Sequence, residues 1–127
     1  MILIVDDNEL MRNALRVLMQ AQFPEQIVHQ AVDGASALAF VRSNRPQLVL
    51  MDIGLPDANG IELAAEIQRG FPETRVILVT QFDDPHYIEH ARAVGAFAYV
   101  VKDNLHRDLP SAARRALLAK SDREGMR

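Results

Sequence analysis

Five short apolar runs alternate with segments of helical periodicity along this chain of 127 residues. Apolar runs bounded by turn residues are typical of strands buried on both faces of a sheet. Apolar residues three or four positions apart indicate amphipathic helices between them. Such alternation predicts an α/β fold, a parallel sheet with helices on both faces and right-handed crossovers. The strands are predicted at residues 2–5, 27–31, 48–52, 76–79 and 98–101, and the helices at residues 9–21, 35–41, 61–71, 86–94 and from about 107 onward.

The third apolar run leads directly into Asp52, and a turn-rich segment with Gly, Pro and Asn follows it. In open α/β sheets, ligands bind at the carboxyl ends of the strands. Other runs also end in polar or charged residues: Asp6 and Asp7, Thr80, and Lys102. Because the carboxyl ends of parallel strands lie at one edge of a sheet, we expect these side chains to gather around Asp52.

Three carboxylates at one sheet edge repel one another unless a cation lies among them. Oxygen ligands that are few in number suit Mg²⁺, which keeps several of its waters. A carboxylate such as Asp52 can also attack phosphorus and form an acyl phosphate. Phosphoryl transfer requires neutralisation of the phosphoryl oxygens, which the Lys102 ammonium and the Thr80 hydroxyl can supply. The pattern therefore favours Mg²⁺-dependent phosphoryl chemistry at Asp52.

Several residue types indicate helix ends. Asp7 or Asn8 is suited to cap the first helix, and Asp84 before Pro85 is suited to cap the fourth. Gly95 is expected to close that fourth helix. Pro110 is tolerated in the last helix only within the first turn, where an amide hydrogen has no partner, so we predict that this helix starts near residue 107.

Composition excludes several classes of protein. The net charge is -3 and the chain has no cysteine, so it has neither a disulfide framework nor a thiolate metal site. The first apolar stretch, residues 1–5, is too short for a signal peptide or a membrane span. Basic residues increase toward the end of the chain without interleaved aromatics, so direct nucleic-acid contact by this domain is not expected.

Two motifs carry a family resemblance. Residues 2–8 read Ile-Leu-Ile-Val-Asp-Asp-Asn, and residues 52–60 read Asp-Ile-Gly-Leu-Pro-Asp-Ala-Asn-Gly. Together with Thr80 and Lys102, they resemble the receiver domain of bacterial two-component response regulators, and the resemblance covers residues 1–120. It is strongest to the NarL/FixJ type, whose receivers precede helix-turn-helix output domains. The resemblance implies a flavodoxin-like, doubly wound, five-stranded sheet in the order 2-1-3-4-5.

The resemblance also implies roles for the acidic residues. Asp52 would accept a phosphoryl group from a sensor histidine kinase or a phosphotransfer protein. Asp7, Asp52 and the backbone carbonyl of Gly54 would hold Mg²⁺, and Asp6 would act on the ion through water. The domain would then catalyse its own phosphorylation and dephosphorylation, as a signalling module and not as a metabolic enzyme.

The remaining implied roles concern the phosphoryl group and the switch. Thr80 and Lys102 would bind the phosphoryl oxygens, and Tyr99 matches the aromatic switch position of the family. A phosphoryl group adds negative charge and strong acceptor oxygens. Movement of Thr80 toward it would vacate space for Tyr99 and bias a packed two-state surface. A strand aromatic that packs without moving is the alternative interpretation of Tyr99.

Two positions depart from the family pattern. Asp103 follows Lys102 where the family usually has proline, and since a cis bond before a non-proline residue costs about 2.5–4 kcal/mol, we predict a trans bond there. Gln81 follows Thr80 where the family usually has Ala or Gly, and its long side chain would crowd the phosphoryl pocket. Gln81 and the adjacent Phe82 are therefore the residues expected to modulate the reaction.

Other functions and partners remain open at this point. One alternative is a pseudo-receiver that binds partners without being phosphorylated. A phosphatase of the haloacid dehalogenase type is disfavoured, because that family has a second Asp two residues after its nucleophile and this chain has Gly54. The resemblance implies a cytoplasmic protein without membrane association, and it leaves a homodimer open. Residues 121–127 look like a tail or the start of a linker. A complete single-domain regulator and the front part of a longer protein both stay open, and the NarL/FixJ resemblance slightly favours the second, with a C-terminal DNA-binding output domain absent from this chain.

Overall fold

The computed structural model describes residues 1–119, which form one parallel sheet with helices on both faces. The strands are β1 (Ile2–Val5), β2 (Val28–Ala31), β3 (Leu48–Met51), β4 (Arg75–Thr80) and β5 (Ala98–Val101). The helices are α1 (Glu9–Gln22), α2 (Gly34–Asn44), α3 (Gly60–Gly70), α4 (Pro85–Ala93) and α5 (Leu105–Leu118). The strand order is β2-β1-β3-β4-β5, which confirms the predicted fold. The tail predicted at residues 121–127 lies outside the described residues.

The central strands are buried on both faces, as their unbroken apolar sequences predict. Successive side chains of a strand point to opposite faces. Leu3 and Val49 therefore pack with α2, α3 and α4, whereas Ile4 and Leu50 pack with α1 and α5. All four side chains have 0% exposure. The two apolar layers fix the strands in register, and this register brings the carboxyl ends of β1, β3, β4 and β5 to one edge.

The predicted helix caps are found where the sequence indicated them. The Asn8 side chain accepts a hydrogen bond from the amide of Met11 at the start of α1. Asp84 caps α4 in the same way, with Pro85 as the first helical residue. Gly95 follows α4 with φ of 91°, a conformation that glycine adopts without steric cost. Within residues 1–119, no helix has both the length and the apolar character required to cross a membrane.

The predicted start of the last helix is wrong. A short 3-10 helix, Lys102–Asn104, runs directly into α5, which therefore begins at Leu105 and not near residue 107. Burial of Leu105 against the sheet holds this early first turn in place. Pro110 consequently lies in the second turn of α5. Its nitrogen carries no hydrogen, so the backbone carbonyl of His106, four residues earlier, receives no helical hydrogen bond from it. The bond between Lys102 and Asp103 is trans, as predicted, since residues 1–119 contain no cis peptide bond.

Candidate phosphorylation site

The carboxyl ends of three strands bring a lysine against two carboxylates. Asp6 follows β1, Asp52 follows β3 and Lys102 follows β5. The Lys102 Nζ atom lies 3.0 Å from Oδ2 of Asp6 and 3.2 Å from Oδ2 of Asp52. The Asp6 side chain is only 2% exposed, and those of Asp52 and Lys102 are 13% and 17% exposed. The charges are therefore screened much less than those of surface ion pairs.

The two carboxylates control the charge on Lys102. Burial alone would lower the pKa of Lys102, since it disfavours the ammonium. The hydrogen bonds to Asp6 and Asp52 and their negative charges outweigh burial, so the pKa of Lys102 lies above its ordinary value. Lys102 is therefore fully charged at neutral pH and neutralises part of the negative charge around Asp52.

The acidic residues fit a hard divalent cation. One carboxylate oxygen from each of Asp6, Asp7 and Asp52 lies within 4.8 Å of the others. Both oxygens of Asp6 are engaged, one by the amide of Asn8 at 2.9 Å and one by Lys102. The Asp7 carboxylate is exposed and has no hydrogen bond or ion pair among residues 1–119, so it is free to bind an ion directly. An all-oxygen donor set of this size, open to water, suits Mg²⁺.

A cavity of about 230 Å³ opens over these acids. Its lining contains most of the residues that the sequence predicted for the site, together with Asn8, which the prediction used only as a helix cap: Asp6, Asp7, Asn8, Asp52, Gly54, Gln81, Phe82 and Lys102. Gln81 lines this cavity and is exposed to solvent, and its predicted effect on the reaction stays a prediction.

Thr80 and Tyr99 are not among the residues that line the cavity. Thr80 is fully buried at the end of β4, and its hydroxyl accepts a hydrogen bond from the amide of Phe82 at 3.3 Å. The Tyr99 hydroxyl donates a hydrogen bond to the backbone carbonyl of Phe82 at 2.7 Å. Contact between Thr80 and a phosphoryl group therefore requires the Thr80 side chain to turn from Phe82 toward the cavity.

Burial is the main cause that raises the pKa of Tyr99 to about 12, and nearby negative charges add to it. These charges belong to Tyr87, Asp83, Asp52 and Asp84, in order of decreasing effect. Asp52 is thus close enough for its charge to affect Tyr99. A change of charge at Asp52 would alter the electrostatic environment of the Tyr99 hydroxyl.

Sequence reasoning missed an arginine that holds the end of β1. Arg12, one turn into α1, donates from Nη1 to the backbone carbonyl of Asp6 at 2.8 Å and from Nε to Gln30 at 3.1 Å. These bonds fix the backbone that carries Asp6 and Asp7. No residue pattern indicates such a contact, because one acceptor is a main-chain carbonyl.

Comparison with known proteins identifies relatives of this arrangement. Residues 2–114 match the family described as response regulator receiver domain. The chain is 33% identical over 113 residues to an uncharacterized transcriptional regulatory protein, YxjL, of Bacillus subtilis (strain 168), with 89% of this chain and 52% of the relative covered. It is 31% identical over 114 residues to the oxygen regulatory protein NreC of Staphylococcus epidermidis (strain ATCC 12228 / FDA PCI 1200), with the same coverage. The chain spans about half the length of these curated relatives.

Solved structures agree with the sequence comparison. A two-component response regulator of the LuxR family from Aurantimonas sp. SI85-9A1 superposes with a TM-score of 0.84 at 28% identity, and 98% of this chain and 91% of that chain are covered. The similarity thus extends over the whole described sheet and its helices.

Proposed function

The chain belongs to the response regulator receiver domain family, in the branch of transcriptional regulators, and we propose that its Asp52 is the phosphoacceptor. The phosphoryl donor would be a sensor histidine kinase or a phosphotransfer protein that carries phosphohistidine. We assign the receiver to residues 1–120. The observation that supports the assignment most strongly is the position of Lys102, which bridges Asp52 and Asp6 from the end of another strand.

In the proposed reaction, a carboxylate oxygen of Asp52 attacks phosphorus while the bond between phosphorus and the donor nitrogen breaks. The electron pair of that bond leaves with the imidazole, and Asp52 becomes an acyl phosphate. No general base is needed, because the attacking carboxylate is already ionised. Lys102, held beside Asp52, neutralises charge on the transferred oxygens, and Thr80 would donate its hydroxyl to one of them after turning from Phe82.

The proposed metal ligands are Asp7, Asp52 and the backbone carbonyl of Gly54, with Asp6 acting through water. When bound, Mg²⁺ would neutralise negative charge on the carboxylates and on the phosphoryl oxygens. This chain's own contribution is to hold the oxygen ligands together: the amide of Ile53 donates to Oδ1 of Asp52 at 2.8 Å and restricts its rotation.

A direct test is the intact mass of the protein after incubation with Mg²⁺ and a small phosphodonor such as acetyl phosphate. Addition of one phosphoryl group is expected for the wild type and for Asp83→Asn, which removes an exposed carboxylate outside the cavity lining. No addition is expected for Asp52→Asn or when Mg²⁺ is removed by a chelator. Equal phosphorylation of Asp52→Asn would refute the assignment.

Two observations favour the second candidate, a pseudo-receiver that binds partners without phosphorylation. Thr80 is fully buried and does not line the cavity, and Gln81, which lines it, stands where the family usually has a small residue. A wild-type chain that binds Mg²⁺ but gains no mass from the phosphodonor would support this candidate over the first.

The cellular role extends the same proposal. Since curated relatives are about twice as long and are named as transcriptional regulators, we assign to the whole protein a C-terminal DNA-binding output domain and a role in the cytoplasm. Phosphorylation would change the surface formed by α4, β5 and the loops around Tyr99, which would then bind the output domain or a second receiver. Size-exclusion chromatography with and without the phosphodonor tests whether a homodimer forms.

A further inference from the structure

The loop between β3 and α3 is closed at its base beside the site. Gly54 and Asn59 form an isolated antiparallel bridge, and the amide of Gly60 donates to the carbonyl of Ile53 at 2.7 Å. The Asn59 side chain also accepts hydrogen bonds from the amides of Ile61 and Glu62 in the first turn of α3. These bonds close the base of the loop, but none of them engages the Gly54 carbonyl, which has no hydrogen bond among residues 1–119. The tip of the loop, residues 55–58, is held by contacts with other parts of the chain.

Asp57 connects this tip to the start of α2. Its Oδ1 accepts a hydrogen bond from the amide of Gly34 at 2.7 Å, and its Oδ2 accepts one from the amide of Ala35 at 3.0 Å. These are the first two amides of α2, which have no partners within the helix. The third amide, that of Ser36, donates to Asp33 at 2.8 Å. Two acidic residues more than twenty positions apart thus complete one helix cap.

The loop and the helix also fit closely together. A Cβ atom at Gly34 would lie 2.9 Å from the Cβ of Ala58 and 3.2 Å from Oδ1 of Asp57. Real Cβ atoms do not approach other carbons to 2.9 Å, so only glycine permits this distance. Two features therefore maintain the contact between the loop tip and α2. Asp57 supplies the hydrogen bonds, and the absence of a side chain at Gly34 allows the close approach.

We propose that Asp57 is a positioning residue for the metal site: by holding the loop tip on α2, it fixes the backbone at Gly54. This inference rests on the proposed function, in which the Gly54 carbonyl binds Mg²⁺. Gly54 is exposed and no atom outside its immediate neighbours lies within 4 Å of its Cβ position, so side-chain packing does not orient it. A glycine is conformationally permissive, and Mg²⁺ requires nearly ideal octahedral geometry. The orientation of the carbonyl must therefore come from the contacts of the loop.

The experiment measures Mg²⁺ affinity by following amide NMR chemical shifts during titration of the unphosphorylated protein. Asp57→Ala is expected to weaken Mg²⁺ binding about tenfold, the lower end of the effect of residues that support metal ligands. Asp33→Ala is the matched control, because it removes the other acidic cap of α2 and the same charge without touching the loop. Its Mg²⁺ affinity is expected to equal that of the wild type.

A second variant separates position from charge. Gly34→Ala keeps every carboxylate, but its Cβ forces Ala58 and the loop tip away from α2. It is expected to weaken Mg²⁺ binding as Asp57→Ala does. Faster hydrogen exchange of the Gly34 and Ala35 amides in Asp57→Ala, with unchanged circular dichroism, would establish that the contact is lost while the fold is kept.

The outcomes distinguish this inference from the function on which it rests. A wild-type chain that does not bind Mg²⁺ overturns both. A wild-type chain that binds Mg²⁺, with Asp57→Ala binding equally well, overturns the positioning role alone. Equal weakening in Asp57→Ala and Asp33→Ala, with Gly34→Ala unaffected, also overturns it, because charge would then be the cause.

Discussion

The hydroxyl of Tyr99 donates to the backbone carbonyl of Phe82 at 2.7 Å, and this contact connects β5 to the loop that follows β4. The amide of the same Phe82 donates to the Thr80 hydroxyl, and its ring stacks on Tyr87 of α4 with centroids 5.2 Å apart. One residue thus joins the strand-end threonine, the aromatic of β5 and the start of α4. A movement of Thr80 toward a phosphoryl group would therefore reach α4 through Phe82.

The hydrogen bond of Tyr99 is expected to contribute to stability. Tyr99→Phe leaves the Phe82 carbonyl without this donor, so we expect the free energy of unfolding to fall by about 1 kcal/mol. Tyr87→Phe is the control, because it keeps the ring that stacks on Phe82 and its hydroxyl has no hydrogen bond among residues 1–119. Urea denaturation measures both variants. Equal stability of the two would show that the Tyr99 hydroxyl contributes nothing.

Alkaline pH should destabilise the protein through the same tyrosine. The pKa of Tyr99 is about 12 in the folded protein and about 10 in the unfolded chain, so folding favours the neutral phenol. The resulting contribution of Tyr99 to the free energy of unfolding is intact below pH 10 and is lost as the pH rises toward 12. Because the chain has two tyrosines and no tryptophan, tyrosinate absorbance in Tyr87→Phe reports Tyr99 alone. Loss of the Tyr87 charge removes one of the contributions to the raised pKa of Tyr99, but burial, the main cause, remains, so the midpoint should still lie above the ordinary value. A midpoint near the ordinary value would contradict the prediction.

The sheet and the convergence of the site could be predicted from the sequence. A strand buried on both faces needs an apolar residue at every position, and residues 48–51 satisfy this up to the carboxylate of Asp52. Because the strands are parallel, the end of β5 lies at the same edge of the sheet as the end of β3, and Lys102 is brought close to Asp52. The sequence could not predict that Lys102 also bonds Asp6, because that choice depends on side-chain geometry at distances of about 3 Å.

Contacts from side chains to backbone groups of another element escaped prediction, whereas the local helix caps at Asn8 and Asp84 were predicted. Asp57 accepts hydrogen bonds from two amides and Arg12 donates one to a carbonyl. Apart from proline, which lacks the N–H, every residue offers the same main-chain donor and acceptor, so the sequence does not mark these partners. The start of α5 was also misjudged, since Pro110 was used as evidence of a first turn. The short 3-10 helix before Leu105 shifts that turn, and no residue in it signals the change.

Glycine is required at position 60 because the backbone of Asp52 and Ile53, just after β3, lies against it. A Cβ at this position would overlap the carbonyl oxygen of Asp52 and lie 2.7 Å from the Cα of Ile53, and backbone atoms cannot move aside easily. We expect Gly60→Ala to lower the free energy of unfolding by about 3 kcal/mol or more. Gly70→Ala, at the other end of α3, meets no atom within 4 Å and is the control. Denaturation midpoints that agree for both variants would refute this steric role.

Gln81 is expected to slow the loss of the phosphoryl group by limiting the access of water to the cavity. Gln81→Ala should raise the rate of autodephosphorylation by about tenfold or less, which corresponds to about 1.4 kcal/mol on the barrier. The rate is followed by intact mass after removal of the phosphodonor. Gln20→Ala, on the exposed face of α1, provides a control for loss of a glutamine elsewhere. If Gln81→Ala loses the group at the wild-type rate, the hypothesis is wrong.

Lys102 should affect metal binding and phosphorylation in opposite directions. In the metal-free protein its ammonium offsets one of the negative charges of Asp6 and Asp52. Lys102→Met therefore leaves a more negative cluster that binds Mg²⁺ more tightly, by about fivefold or about 1 kcal/mol. The same variant lacks the charge that would stabilise the phosphoryl oxygens, so its phosphorylation by acetyl phosphate should be slower than that of the wild type. Lys102→Arg keeps the charge and should show wild-type Mg²⁺ affinity in the same titration. A variant Lys102→Met that binds Mg²⁺ more weakly would mean that Lys102 supports the ion and does not compete with it for the carboxylates.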